Sequence, residues 1–231
     1  MVWEAPEGLL LIDAGGSTYQ RFLRAGLDPM RLRAILLTHS HADHINGLPG
    51  LLFALKLSGF RERLPIFGNA PTLALVRRIL DVYDFEGHAT MPDWVVVEPG
   101  QEIPLGSRSY RLDTAETTHP RPCLALRFTH TESGKALVYS ADTEPCESVQ
   151  KLAKGCSILI HEATTAEPFP GHTTPRQAGE VAQQAGAERL VLVHFSPHWT
   201  MSASQAIDEV RASGFQGDIE IGRELRAYNL L

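Results

Sequence analysis

Cysteine is scarce: three in 231 residues, Cys123, Cys146 and Cys156, widely spaced, odd in number and with no C-x-x-C pair. That argues against both a disulfide framework and a thiolate zinc site, and it fits a reducing compartment. No uninterrupted apolar run reaches bilayer length and no charged-then-apolar leader opens the chain, so a soluble, cytoplasmic protein is expected. Basic runs are missing as well. The nearest are Arg31/Arg33, Arg61/Arg63 and Arg77-Arg78, in a chain of net charge −6, which advertises no broad nucleic-acid footprint. Internal repeats and low-complexity segments are absent. With 43% hydrophobic residues the chain can bury one sizeable core, and we expect one domain over 1–231.

What is present is concentrated. Ala34 to Thr38 is an apolar, strand-like run, and His39, His41, Asp43 and His44 follow it within six residues. A buried strand places such polar residues in the loop at its C-terminal end, where open α/β architectures carry function. Neutral imidazole is a common ligand for zinc-like metals, and a carboxylate among histidines adds charge neutralisation and a proton acceptor. The cluster therefore reads as a metal site.

The surrounding chain supports that placement. Gly8 to Asp13 reads as a strand ending in a carboxylate, with a turn at Ala14-Gly15-Gly16 and a helix capped by Ser17 or Thr18 running to about Ala25. Helices are expected over 47–59, where Leu48, Leu51, Leu52 and Leu55 share a face, and from Asn69-Pro71 to about Asp84, with a strand at Leu64 to Phe67 between them. Phe85 to Asp93, with His88 and Met91, shows no regular signal and reads as a surface loop. Trp94 to Glu98, Gln101 to Ile103, Arg108 to Ala115, Cys123 to Thr129 and Lys135 to Ser140 look like strands in an antiparallel run, which with the flanking β-α units predicts two packed sheets. A strand at Ser157 to His161, a helix at Pro175 to Ala185, a strand at Arg189 to His194, a helix at Ser202 to Ser213 and short strands at Asp218 to Ile221 and Leu225 to Leu230 complete the chain.

Three further strands are each followed by a metal-competent residue: His119, Asp142 and His194. His39, His41 and His119 can hold one metal and Asp43, His44 and His194 a second, with the two oxygens of Asp142 as a bridge. Two-metal sites of this kind serve hydrolytic displacements. The histidine-rich, thiolate-free set favours zinc, with manganese or iron as alternatives.

These segments also carry a resemblance. Leu11-Ile12-Asp13-Ala14-Gly15, Thr38-His39-x-His41-x-Asp43-His44, Thr118-His119-Pro120, Ser140-Ala141-Asp142-Thr143 and Val193-His194-Phe195-Ser196 resemble, in order, the five motifs of the metallo-β-lactamase superfamily. The resemblance implies an α/β fold, the four-layer αβ/βα sandwich with a dinuclear site, and makes Asp13 the residue that braces the histidine loop. Asp142 in place of a cysteine, and His44 completing the first motif, set the chain apart from true β-lactamases. His161-Glu162-Ala163-Thr164 and Gly171-His172-Thr173-Thr174-Pro175 are similar to motifs of ribonuclease Z. By that likeness His172 contacts the scissile phosphate and protonates the leaving oxygen, and Glu162 orients it.

Two departures stand out. Between Cys146 and Cys156 there is room only for a short helix, and no long Gly/Pro-rich insertion occurs, so the arm with which ribonuclease Z grips tRNA is expected to be missing. The family's first N-terminal strands, which should precede Gly8, are expected to be missing too. The leading expectation is a dinuclear metal-dependent hydrolase, a phosphodiesterase acting on a small or single-stranded phosphodiester, with Asp43 taking a proton from the attacking water besides ligating. Alternatives are tRNA 3′-processing, or hydrolysis of a lactone, thioester or sulfate ester, which the fold alone does not discriminate. The resemblance implies a homodimer, and no membrane partner is expected.

Overall fold

The computed structural model describes residues 1–84, 90 and 92–231. His88 and Met91 of the expected surface loop lie outside the described residues. The chain divides into two compact units, 1–98 and 99–231, each built on one mixed sheet with its own helices.

In the first unit the sheet order is β1 (Val2–Ala5), β2 (Gly8–Ile12), β3 (Leu32–Leu37), β4 (Leu64–Gly68) and β5 (Pro92–Val96). β1 and β2 form an antiparallel hairpin, with Trp3 opposite Leu10 and Glu4 opposite Leu9. All later pairings are parallel, Ile35 lying opposite Ile66 and Phe67 opposite Val95. Parallel strands need crossovers, supplied here by α1 (Thr18–Arg24), α3 (Leu48–Leu57) and α4 (Ala70–Val82). Leu48, Leu51, Leu52 and Leu55 of α3 are buried with Ile35, Leu37 and Ile66 in one core, so the leucine spacing does place a core-facing stripe.

Several expectations need correcting. β1 occupies residues assigned no element. β5 is parallel to β4 and does not open the antiparallel run. The α1 cap is absent as drawn: Ser17 is left-handed and makes no side-chain cap bond, while the Thr18 hydroxyl donates back to Gly15 O at 2.5 Å.

The second unit carries the order β6 (Tyr110–Glu116), β7 (Leu124–His130), β8 (Ala136–Tyr139), β9 (Ile158–Glu162), β10 (Arg189–Val193) and β11 (Asp218–Ile221), read from one edge. β6, β7 and β8 are antiparallel; β8 through β11 are parallel. The change of sense at β8/β9 follows from the linkers, a tight turn before β8 and the helix α5 (Glu147–Ala153) after it. α5 is the short helix foreseen between Cys146 and Cys156. α6 (Pro175–Ala185) and α7 (Ala203–Ala212) start at full capping boxes, Thr174 with Gln177 and Ser202 with Gln205. Their small inner residues, Ala178, Ala182 and Ala206, pack with Leu159, Leu190 and Leu192. Gln101 to Ile103 forms only an isolated bridge, Glu102 to Asp113, and Leu225 to Leu230 forms no strand: apolar content without a ladder partner does not make a strand.

Backbone packs on backbone at the histidine loop. Ala14 N–H donates to His44 O and Gly47 N–H to Ala14 O, and a Cβ on Gly47 would run into Gly15 O. Gly47→Ala should therefore lower the unfolding free energy by about 1–3 kcal/mol. Gly50→Ala, where a Cβ meets nothing within 4 Å inside α3, should raise it by about 0.5–1 kcal/mol. Urea denaturation of the pair tests the opposite signs.

Candidate metal centre

In the first unit β3 ends at Leu37 and Thr38 begins the polar loop. Ala42–Ile45 then forms a single helical turn, α2, so Asp43 and His44 stand on a helix and not in the open loop expected. Asp13, directly after β2, is left-handed with φ 58°. Its carboxylate accepts the Thr38 N–H at 2.7 Å, the Thr38 hydroxyl at 2.9–3.0 Å and His44 Nδ1 at 2.8 Å. Burial pushes the Asp13 carboxyl upward, but the His44 charge and hydrogen bond and the Thr38 N–H outweigh it and hold it below the usual carboxylate range. The bracing role that the resemblance implied for Asp13 thus has specific partners.

With Nδ1 engaged by Asp13, His44 turns Nε2 toward Asp43 Oδ2, 3.3 Å away. His39 Nε2 and His41 Nδ1 lie 3.0 Å apart, their rings edge to face. Two donors on one tetrahedral zinc, each about 2.0–2.1 Å from it, would be about 3.3 Å apart. Both pairs have the spacing of donors sharing a cation.

In the second unit the two oxygens of the buried Asp142 face different histidines. Oδ2 is 4.0 Å from His119 Nε2 and Oδ1 is 3.5 Å from His194 Nε2. Each imidazole is held through its other nitrogen, His119 Nδ1 by Gly171 O at 2.8 Å and His194 Nδ1 by the Thr164 hydroxyl at 2.8 Å. That directs Nε2 of both toward the carboxylate, the usual arrangement of a metal-binding histidine. Gly171 is required here: its φ is +84°, and a Cβ would lie 2.6 Å from the Pro120 ring.

Glu162, the last residue of β9, is fully buried and accepts four donors. Oε1 takes the Thr143 N–H at 3.0 Å and His172 Nδ1 at 2.9 Å; Oε2 takes the Thr164 N–H at 2.9 Å and the Thr173 N–H at 3.2 Å. The hydrogen bond that His172 donates to Glu162 raises the His172 pKa above its ordinary value against the opposing effect of burial, with the Glu162 and Asp142 charges adding to the rise. The half-buried His172 ring lies 5.2 Å from that of His119 and 6.0 Å from that of His194. His161, next to Glu162, is fully buried, and burial lowers its pKa; it is a neutral core histidine.

Within the first unit, then, Asp13, His39, His41, Asp43 and His44 come together. Within the second, His119, Asp142, Glu162, His172 and His194 do. All are nitrogen or carboxylate-oxygen donors, or their direct supports, and the set suits a divalent metal. Thr38, Thr164, Gly171 and Glu144, whose Oε1 accepts the Gly171 N–H at 2.7 Å, were not singled out from the sequence. Thr38, Thr164 and Gly171 sit inside recognised motifs, so a signal existed; Glu144 acts only through folding.

Residues 9–195 match the family model described as a beta-lactamase superfamily domain. The chain belongs to this superfamily. It is 30% identical to ribonuclease Z of Methanothermobacter thermautotrophicus, over 84% of this chain and 79% of that one. The structure of the metallo-beta-lactamase fold protein YhfI from Bacillus subtilis is similar at 26% identity with a TM-score of 0.78, covering 96% of this chain and 88% of that one. The short form of human tRNase Z shares the fold at 21% identity and a TM-score of 0.74, covering 100% and 91%. The chain is a ribonuclease Z-like metallo-β-lactamase-fold protein and a metal-dependent hydrolase.

Asp13→Asn keeps a residue that tolerates the left-handed backbone but removes a charged oxygen from His44. Metal affinity should fall roughly 10–100-fold while the circular dichroism spectrum is retained. Chelator competition measures the first quantity, and unchanged affinity would remove Asp13 from the centre.

Proposed function

We propose that this hydrolase cleaves a phosphodiester, small or single-stranded, with two divalent ions held by His39, His41, Asp43, His44, His119, Asp142 and His194. The observation that carries the reading is the His172–Glu162 pair. A histidine bonded at 2.9 Å to a fully buried carboxylate sits on the two segments that resemble ribonuclease Z, in a chain 30% identical to one such enzyme. An imidazole with a raised pKa beside a fixed carboxylate is suited to donate a proton to a departing oxygen.

The bound ions would supply Lewis acidity toward the phosphoryl oxygens and ease deprotonation of the attacking water. The rest falls to side chains. Asp43, exposed beside His44, accepts the proton from that water. His172 donates from Nε2 to the leaving oxygen, its Nδ1 held by Glu162. Asp13, Thr164 and Gly171 hold the imidazoles in register. Zinc suits the donor set, with manganese or iron(II) as alternatives. The reading also takes the protein as cytoplasmic, in keeping with three free cysteines, and as a homodimer that sedimentation should show at twice the 25.4 kDa chain mass.

A second reading, tRNA 3′-processing, is favoured by the ribonuclease Z relatives, while the short Glu147–Ala153 helix, where no arm is inserted, weighs against efficient gripping of tRNA.

His172→Ala should cut turnover of bis(p-nitrophenyl) phosphate about 10²–10⁴-fold with metal content unchanged by elemental analysis. Phosphodiesterase activity that survived this change would sink the role of His172. Asp142→Asn should instead lower metal content itself. Exhaustive chelation should abolish turnover, and one divalent metal among zinc, manganese and iron(II) should restore it; activity indifferent to chelation would refute the metal dependence.

A further inference from the structure

Of the four phenylalanines in the second unit, Phe128 and Phe215 are fully buried and Phe195 is partly buried, but Phe169 is 60% exposed. A phenyl ring left in water forgoes burial free energy, and a single exposed apolar residue alone would call for no explanation. Phe169 differs because its position is built. Pro168 and Pro170 flank it and restrict the backbone on either side. His172 N–H closes the turn on Phe169 O at 3.1 Å. Glu144 Oε1 accepts the Gly171 N–H at 2.7 Å, and Gly171 O accepts from His119 Nδ1 at 2.8 Å. The turn carrying the ring is therefore tied through both the N–H and the C=O of Gly171 to residues flanking the site.

The ring also has a defined relation to the reactive histidine. Phe169 lies 6.3 Å from His172 at an interplanar angle of 29°, and His172 lies 6.0 Å from His194 at 20°. Three rings follow one another with similar orientation, and the outermost is the exposed phenyl. A flat apolar surface, prefixed beside the proton donor, is what a planar heterocycle needs in order to stack. Every nucleobase offers such a face, and stacking on an aromatic side chain is tolerant of base identity.

We propose that Phe169 is the platform on which the nucleobase next to the scissile phosphodiester stacks, making it a specificity-determining residue that selects nucleotides over simple alkyl phosphodiesters. This rests on the phosphodiesterase reading above and names the substrate class within it. The ordering of the turn before substrate arrives reduces the entropy lost on binding.

The test is equilibrium binding of the metal-loaded full chain to adenosine 5′-monophosphate and to ribose 5-phosphate, which share phosphate and sugar and differ by the base. The wild type should prefer the nucleotide. Phe169→Ala should reduce that preference roughly 5- to 100-fold, the range expected for one stacked base. Phe169→Tyr should keep it, and Phe169→Leu, apolar but without a ring, should behave as the alanine variant does. The proposal is overturned if the wild type shows no preference, if alanine leaves the preference intact, or if leucine preserves it as well as tyrosine. Wild-type turnover of methyl p-nitrophenyl phosphate reports separately on the phosphodiesterase reading, so loss of one does not masquerade as loss of the other.

Discussion

A carboxylate taken out of water must be surrounded by donors or give up its charge, and in both units that constraint shapes the functional loops. Glu162 collects the backbone N–H groups of Thr143, Thr164 and Thr173 together with His172 Nδ1. Those residues come from the segment after β8, the segment after β9 and the start of α6. One buried charge therefore draws the β8–α5 connection and both ends of the β9–α6 connection to a common point, and Asp142 and His172 are positioned as neighbours of the residues it binds. Asp13 does the same on a smaller scale, joining the end of β2 to Thr38 and His44. Removing either carboxylate would leave several donors unmet.

The parallel stretches of both sheets explain why the polar residues gather. Within each sheet, strands running the same way deliver their C-terminal ends to one edge of that sheet; Asp13 and Thr38 are the residues just past those ends in the first unit, and Glu162 and His194 are at or just past them in the second. Getting from a strand into the site in so few residues bends the backbone sharply. Asp13, Ala141 and His194 all adopt the left-handed region, with φ of 58°, 50° and 62°, at a cost of about 1–2 kcal/mol each. Strain of this kind persists where surrounding contacts over-determine it. Here the contacts are identifiable: the Thr38 and His44 bonds to Asp13, the Thr117 hydroxyl bond to Asp142 O at 2.8 Å, and the Thr164 bond to His194.

What could be read from the sequence divides along the range of the interactions. The His39-to-His44 cluster was legible because ligand spacing and the preceding apolar run are local, and the leucine face of α3 because its period is local too. α2 was hidden because histidine and aspartate carry no hydrophobic period, so one helical turn looks like loop. β1 was hidden because its four residues alternate only weakly in burial, and it exists through pairing with β2. Leu225 to Leu230 misled in the opposite direction, since alternation without a neighbouring strand satisfies no backbone groups. The Glu144–Gly171–His119 chain spans long sequence separations and runs through the backbone N–H and C=O of Gly171, and no residue pattern announces it.

That chain also bears on how chemistry and selectivity are divided. The residues proposed as ligands sit on strand ends and short turns beside the buried core. The 165–172 segment is different: its outer side chains are exposed, while Glu144 fixes its Gly171 peptide and Gly171 in turn fixes His119. A substitution at Phe169 changes what the surface offers and the ring beside His172 but leaves the Gly171 bonds to Glu144 and His119 in place, whereas one at Gly171 or Glu144 removes those bonds. On the proposed function, selectivity can vary on the outer positions of this turn while its inner ones hold His119 and His172, and Gly171 marks the boundary between the two.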